Sequence, residues 1–199
     1  MNKRQFLASS AAALGATAAP AFAQKPRHHE ACTPSPVLLT LTGAIKRSNR
    51  GALDPAFDQL MAKQQVKFSA GYGVDFAWLT SLPAVSIKPT TEYDSRAHTL
   101  SGPLLTDILE RVGAPSAGDT QILLRAVDGY AVMTKLDTVR DRRFIVATHK
   151  DGQPMPLGGI GPLWAVYDAD SIPELASKPL KDRFELCPWG LYHIQVIEA

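Results

Sequence analysis

This sequence of 199 residues has little cysteine and no excess of charge once its N-terminus is set aside. Cysteine occurs only at Cys32 and Cys187, which excludes a disulfide-rich scaffold. The formal net charge is +2, and removing Lys3 and Arg4 leaves 19 basic residues against 19 acidic ones. A balanced chain without a basic stripe lacks the electrostatic footprint of a nucleic-acid-binding protein.

The short motifs of several enzyme classes are also missing. The sequence contains no G-x-S-x-G, H-E-x-x-H, C-x-x-C or P-loop segment, so nothing local supports a serine hydrolase, a zinc peptidase, a thioredoxin-type redox site or a nucleoside triphosphate site. The glycines of segment 158–161 do not form a dinucleotide fingerprint, because Pro162 and Trp164 follow where a helix should begin.

Residues 1–23 have the pattern of an export signal. Lys3-Arg4 precedes an alanine-rich apolar run too short to span a bilayer, and Ala21-Phe22-Ala23 is typical of a signal-peptidase site. Lys-Arg followed by Gln-Phe-Leu is similar to a twin-arginine export signal with lysine in the first position. Export by the general secretion (Sec) route is the alternative. We expect cleavage near Ala23, a periplasmic location and no membrane span afterwards.

The polar, proline-rich segment 24–36 predicts a flexible linker. Its His28, His29 and Cys32 are able to bind copper or zinc, or are incidental. In an oxidising periplasm Cys32 and Cys187 either form a disulfide or remain two thiols, and their spacing does not decide between these states.

Strand patterns dominate residues 37–199. The runs 122–132 and 144–148 are rich in β-branched and aromatic residues and are bounded by the turn dipeptides Asp128-Gly129 and Asp151-Gly152. Strands and helices do not alternate as they do in a parallel doubly wound sheet, so we predict a single mixed α+β domain. Further strands are predicted at 37–42, 66–69, 85–87, 164–167 and 192–197. Helices are predicted at 56–63, 77–82 and 104–114, and a loop or short helix at 170–177. Segment 137–143 is predicted to be a solvated loop whose charged side chains pair with one another.

Segment 154–162 is the first candidate for a site. It is too rich in glycine and proline for a helix or a strand, so its backbone must turn sharply or approach something closely. We expect Gly159 and Gly161 to lie at the floor of a cavity.

A set of short motifs follows this chain in order. They are Leu41-Thr42-Gly43, Leu82-Pro83 with Thr90-Thr91, His98-x-x-Ser101-Gly102-Pro103-Leu104-Leu105-x-Asp107-Ile108-Leu109 with Gly113-Ala114, Ala126-x-Asp128-Gly129-Tyr130, Ala147 with Asp151-Gly152, Gly161-Pro162-Leu163-Trp164, and Trp189 before the last strand. Their order and spacing resemble the oxidoreductase molybdopterin-binding domain of the sulfite oxidase family, in its short, exported, stand-alone form. The resemblance covers roughly residues 37–199.

The resemblance implies a sulfite-oxidase-type α+β fold that holds a molybdenum pyranopterin, with a cysteine thiolate on the metal and transfer of an oxo group. The loop between Ile87 and Gly102, where that cysteine should lie, contains none. Thr90 or Thr91 is the nearest replacement, and a neutral hydroxyl is a poor metal ligand. No catalytic residue and no metal ligand is therefore carried over.

Several residues remain candidates for contact with the cofactor, through hydroxyl, imidazole or guanidinium donors or through close backbone approach. They are Thr90, Thr91, Tyr93, His98, Tyr130, Arg143, Gly159 and Gly161. Alternative interpretations are a sheet-edge tyrosine for Tyr130, a loop ion pair for Arg143 and a helix-start hydrogen bond for His98.

Two functional hypotheses follow. The first is a periplasmic, molybdopterin-binding, oxidoreductase-like protein. The second is a non-enzymatic binding or accessory protein that kept the fold without the cofactor. A small-molecule ligand or a redox partner protein is the expected partner in either case.

Overall fold

The computed structural model describes residues 35–198, and their elements follow the alternation of apolar and polar residues. The strands are β1 (Leu39–Gly43), β2 (Gly71–Val74), β3 (Ala84–Ile87), β4 (Leu100–Pro103), β5 (Gln121–Ala126), β6 (Ala131–Lys135), β7 (Ile145–Ala147), β8 (His149–Lys150), β9 (Gln153–Pro154), β10 (Trp164–Val166) and β11 (Leu191–Ile197). The α-helices are α1 (Gln59–Lys63), α2 (Phe76–Thr80), α3 (Leu105–Arg111), α4 (Leu136–Asp141) and α5 (Pro173–Ala176).

The largest sheet has the strand order β2-β1-β11-β5-β6. β1 and β11 are parallel, with Leu41 opposite Ile194, and the other pairs are antiparallel. Period-two alternation turns one face of these strands towards the core, as in β5, where Ile122 and Leu124 are fully buried. The prediction of a mixed α+β domain made mostly of strands is confirmed.

Two smaller sheets pack beside it. One has the order β3-β4-β8-β9, and the other pairs β7 with β10. Gly102 of β4 lies against β7, where a side chain would collide with the carbonyl oxygen of Val146. This close approach explains the glycine in Ser101-Gly102-Pro103.

The core lies between these sheets and the helices. Phe144 and Tyr167 are fully buried, and their rings meet edge to face with centroids 4.8 Å apart. Helix α3 contributes Leu105, Ile108 and Leu109 from its apolar side. The predicted amphipathic helix is therefore confirmed in place, although it is shorter than the pattern suggested.

Two local predictions were wrong, one for a strand and one for a loop, because tertiary contacts overrode the local pattern. The predicted strand 66–69 is irregular, since Phe68 accepts one hydrogen bond from Leu53 instead of joining a ladder. The charged loop 137–143 is largely helix α4, although its expected self-pairing exists between Arg140 and Asp137, 3.3 Å apart. The residues before α3 form strand β4, paired with β3.

The export signal, most of the linker, His28, His29 and Cys32 lie outside the described residues. Among the helices of segment 35–198, none is long and apolar enough to cross a membrane.

Candidate functional site

Two of the predicted residues, Tyr93 and Tyr130, line one cavity of about 330 Å³. The loop after β3 supplies Tyr93, and the β5–β6 turn supplies Tyr130. The segment that leads into β11 adds Phe184, Cys187 and Trp189. Pairing of β11 with β5 brings the β5–β6 turn and the segment before β11 to the same end of the main sheet, and the loop after β3 joins them in the lining.

The floor of the cavity is aromatic and buried. Trp164 is buried, and its indole Nε1 donates a hydrogen bond to the carbonyl oxygen of Cys187 at 2.9 Å. The Phe184 ring lies beside it, with centroids 5.9 Å apart. Burial raises the pKa of the Cys187 thiol to about 12, so this sulfur stays protonated and is a weak metal ligand.

The sides of the cavity are formed by half-exposed rings. The Tyr130 hydroxyl donates to the carbonyl oxygen of Glu185 at 2.6 Å, which ties the β5–β6 turn to the segment before β11. Burial, and then the neighbouring Glu92 carboxyl, raise the pKa of Tyr93 to about 12, while the Trp189 indole acts in the opposite direction. Both tyrosines therefore offer neutral phenol groups.

Carboxylates dominate the charge of the lining. Glu92, Asp128 and Glu185 face one cation, Lys181. Within residues 35–198 none of these four groups forms an ion pair. The cavity therefore presents a negative potential to a ligand.

His98 belongs to a separate cluster in the loop before β4. Its Nδ1 lies 2.6 Å from Asp151 Oδ2 and its Nε2 lies 2.7 Å from Asp94 Oδ2. Hydrogen bonds to Asp94 and Asp151 raise the pKa of His98, because both ring nitrogens donate only when the ring is a cation. Because each ring nitrogen already lies within hydrogen-bond distance of a carboxylate, the ring holds the loop together and presents no nitrogen to a metal or a substrate.

Thr90 and Thr91 take part in the same loop through hydrogen bonds. Thr91 is buried, and its hydroxyl donates to Asp94 Oδ1 at 2.9 Å. The Thr90 amide donates to Asp170 Oδ2 at 2.7 Å. Both contacts are structural, and neither threonine lines the cavity.

The remaining predicted residues also lie away from it. Arg143 is exposed after α4 and has a positive φ of 52°. A side chain at Gly161 would collide with Met155, whereas Gly159 has only Pro156 near it. The glycine loop touches the site indirectly, through the hydrogen bond from the Gly190 amide to the Ile160 carbonyl oxygen at 3.1 Å.

Neither a scan against protein-family models nor a search of curated proteins found a match to this chain. The resemblance to the sulfite oxidase family therefore stays a prediction.

The residues around the cavity do not fit the molybdenum pyranopterin that this resemblance implies. A pterin phosphate is anionic, and the three carboxylates of the lining would repel it more than Lys181 attracts it. The sulfur in the wall, Cys187, is a protonated thiol. In the described part of the chain, no three His, Cys, Asp or Glu side chains are grouped to hold a metal.

Sequence reasoning missed most of this lining. Trp164 and Trp189 were not among the candidate residues, and Trp164 is buried in the core while also forming the cavity floor. Cys187 was considered only as a disulfide partner. The available signal was the clustering of Phe184, Cys187 and Trp189 just before the last strand.

Proposed function

We propose that this chain is an exported, non-enzymatic binding protein. It keeps the α+β fold of a sulfite-oxidase-type domain without its molybdenum cofactor, and it acts in the periplasm. The observation that carries the proposal is the chemistry of the cavity, whose lining contains three carboxylates without ion pairs and a buried, protonated thiol. Such a lining accepts a ligand but offers neither a thiolate nor a cationic phosphate site.

The loop that would carry the family's cysteine supports the same conclusion. Thr91 donates its hydroxyl hydrogen bond to Asp94, and both ring nitrogens of His98 are engaged with carboxylates. These groups stabilise the loop, so they are not available for a reacting substrate. Because Thr91 and His98 are engaged in holding the loop, a binding role fits this chain better than catalysis that would use them.

The test is to express the full chain with its signal in a bacterium that makes molybdenum cofactor, and to purify it from the periplasm. We expect cleavage near Ala23 by intact mass, molybdenum far below one atom per chain by mass spectrometry, and no pterin fluorescence after denaturation. A molybdoenzyme of the host, prepared in parallel, is the positive control.

A Thr91→Cys variant tests whether the missing thiol alone prevents cofactor binding, because it supplies a thiol in the loop where the resemblance places one. We expect no molybdenum in this variant either, since the side chain at 91 is buried against Asp94 and not in the cavity. Stoichiometric molybdenum and pterin in the wild-type protein would overturn the proposal in favour of a molybdopterin-binding oxidoreductase.

A further inference from the structure

The cavity at the end of the main sheet combines aromatic walls with a surplus of carboxylates. Tyr93, Tyr130 and Trp189 expose part of their rings, and Trp164 and Phe184 close the floor. Aromatic faces attract cations through their quadrupole and also bury methyl groups. A volume of about 330 Å³ suits a small molecule.

The sign of the charge selects among small molecules. Glu92 is half-buried, and Asp128 and Glu185 lie exposed at the rim, with Lys181 as the opposing charge. A carboxylate near an apolar wall acts through a lower effective dielectric than one in open water. A cationic ligand gains from this potential, and an anionic ligand loses.

The lining favours an organic cation over a metal ion. Hard metal ions need several oxygen ligands at about 2.0–2.6 Å, and no such group of side chains occurs within segment 35–198. Alkylated ammonium groups are weakly hydrated and pack their methyl groups against rings, which is the chemistry that these walls offer.

We propose that this cavity binds a small organic cation carrying an alkylated ammonium group, with Tyr93 and Trp189 contacting the methyl groups and Glu92 neutralising the charge. This inference rests on the proposed function, because a pterin bound beside the same loop would compete for the space.

The test compares two ligands of the same shape on the purified mature protein. Choline and 3,3-dimethylbutan-1-ol differ in having a quaternary nitrogen or a quaternary carbon, and tetramethylammonium serves as a second cation. Binding is followed by calorimetry and by the fluorescence of Trp164 and Trp189. We expect saturable binding of both cations and roughly tenfold weaker binding of the neutral alcohol, as cation–π energies imply.

Variants of Tyr93 and Glu92 measure separately how much the aromatic ring and the negative charge contribute to choline binding. Tyr93→Leu should weaken choline binding roughly fivefold, whereas Tyr93→Phe, which keeps the ring, should stay within about twofold. Glu92→Gln should weaken it by a similar factor, roughly fivefold. Glu174→Gln makes the same change at an exposed carboxylate outside the cavity and should leave affinity unchanged. Because Tyr93 is half-exposed, its variants should fold, which the unfolding midpoint checks.

The outcomes are distinct. Molybdenum-free protein that prefers choline to the alcohol supports the inference. Molybdenum-free protein that binds both equally, or binds neither cation, overturns the inference and leaves the proposed function standing. Molybdenum and pterin in the wild-type protein overturn the proposed function itself.

Discussion

Acid should destabilise this protein through one buried histidine. His193 of β11 is fully buried, and its Nδ1 lies 3.2 Å from Arg125 Nη1. Because arginine only donates, Nδ1 accepts, and the single ring proton lies on Nε2, which donates to Thr42 Oγ1 at 2.9 Å. Desolvation, then the charges of Arg125 and Arg50, lower the pKa of His193 to about 3.

The direction of this pH effect follows from the linkage between proton binding and the free energy of unfolding. In the unfolded chain a histidine binds a proton at about pH 6.5, whereas the folded protein keeps His193 neutral until the pH approaches about 3. The unfolded state therefore binds more protons in this window, and the free energy of unfolding falls as the pH falls. At about 1.4 kcal/mol per pH unit, the loss between about pH 7 and about pH 4.5 is about 2.5 kcal/mol.

The assay is urea unfolding of the wild-type protein and of His193→Gln at these two pH values. Glutamine keeps a donor and an acceptor but does not titrate, so the variant should lose about 2.5 kcal/mol less than the wild type. Carboxylates that titrate near the lower pH contribute to both proteins and cancel in the comparison.

His98→Gln is the matched control, because its effect has the opposite sign. The raised pKa of His98 means that its contribution is fully present below about pH 6.5 and is lost as the pH rises through the folded value. Its removal should enlarge the loss of stability in acid. Equal losses in wild type and His193→Gln would refute the assignment of His193 as a neutral buried ring.

Three further predictions concern the core and the cavity wall. Because the pKa of its thiol is raised to about 12, Cys187 should resist iodoacetamide in the native protein and react after unfolding. Mass spectrometry of the peptide that contains Cys187 measures the labelling, and fast labelling of the native protein would contradict its burial. Gly102→Ala should lower the free energy of unfolding by more than about 2 kcal/mol, because its methyl group collides with the carbonyl oxygen of the adjoining strand. The control Gly51→Ala has open space around it and should change the free energy of unfolding by no more than about 0.5 kcal/mol. Equal unfolding midpoints for the two variants would disprove the close contact. Phe144→Ala should cost about 3–5 kcal/mol in chemical denaturation, against little for the exposed Phe57→Ala, and a small effect at Phe144 would show a loosely packed core.

Local chemistry predicted the elements whose causes lie within a few residues. The dipeptide Asp128-Gly129 marks the turn between β5 and β6, where Gly129 has a φ of 95° and Asp128 Oδ1 accepts the Tyr130 amide at 2.9 Å. The apolar spacing around Ile108 marks helix α3. No local pattern predicted strand β4, because it forms by pairing with β3 and packing on β7.

The candidate site residues also differ in whether their properties come from their own chemistry or from distant parts of the chain. Tyr93 and Tyr130 were selected for their hydroxyl groups, and the structure places both in one cavity. His98 was selected for its imidazole, but its two carboxylate partners, Asp94 and Asp151, are set by the loop and by a later turn. Their combined effect on its pKa is a tertiary property.

The sequence establishes which chemical groups are available: the loop after β3 contains no cysteine, and the charge of residues 24–199 is balanced. It also determined the short turns and the amphipathic faces, because these depend on neighbours along the chain. Long-range packing establishes which side chains meet: the pairing of β11 with β5 brings Trp189 and Asp128 to one end of the main sheet, and Glu92 reaches the same cavity from the loop after β3. Long-range strand pairing is set by burial of the whole core, so no local pattern contains the shape or the charge of the cavity.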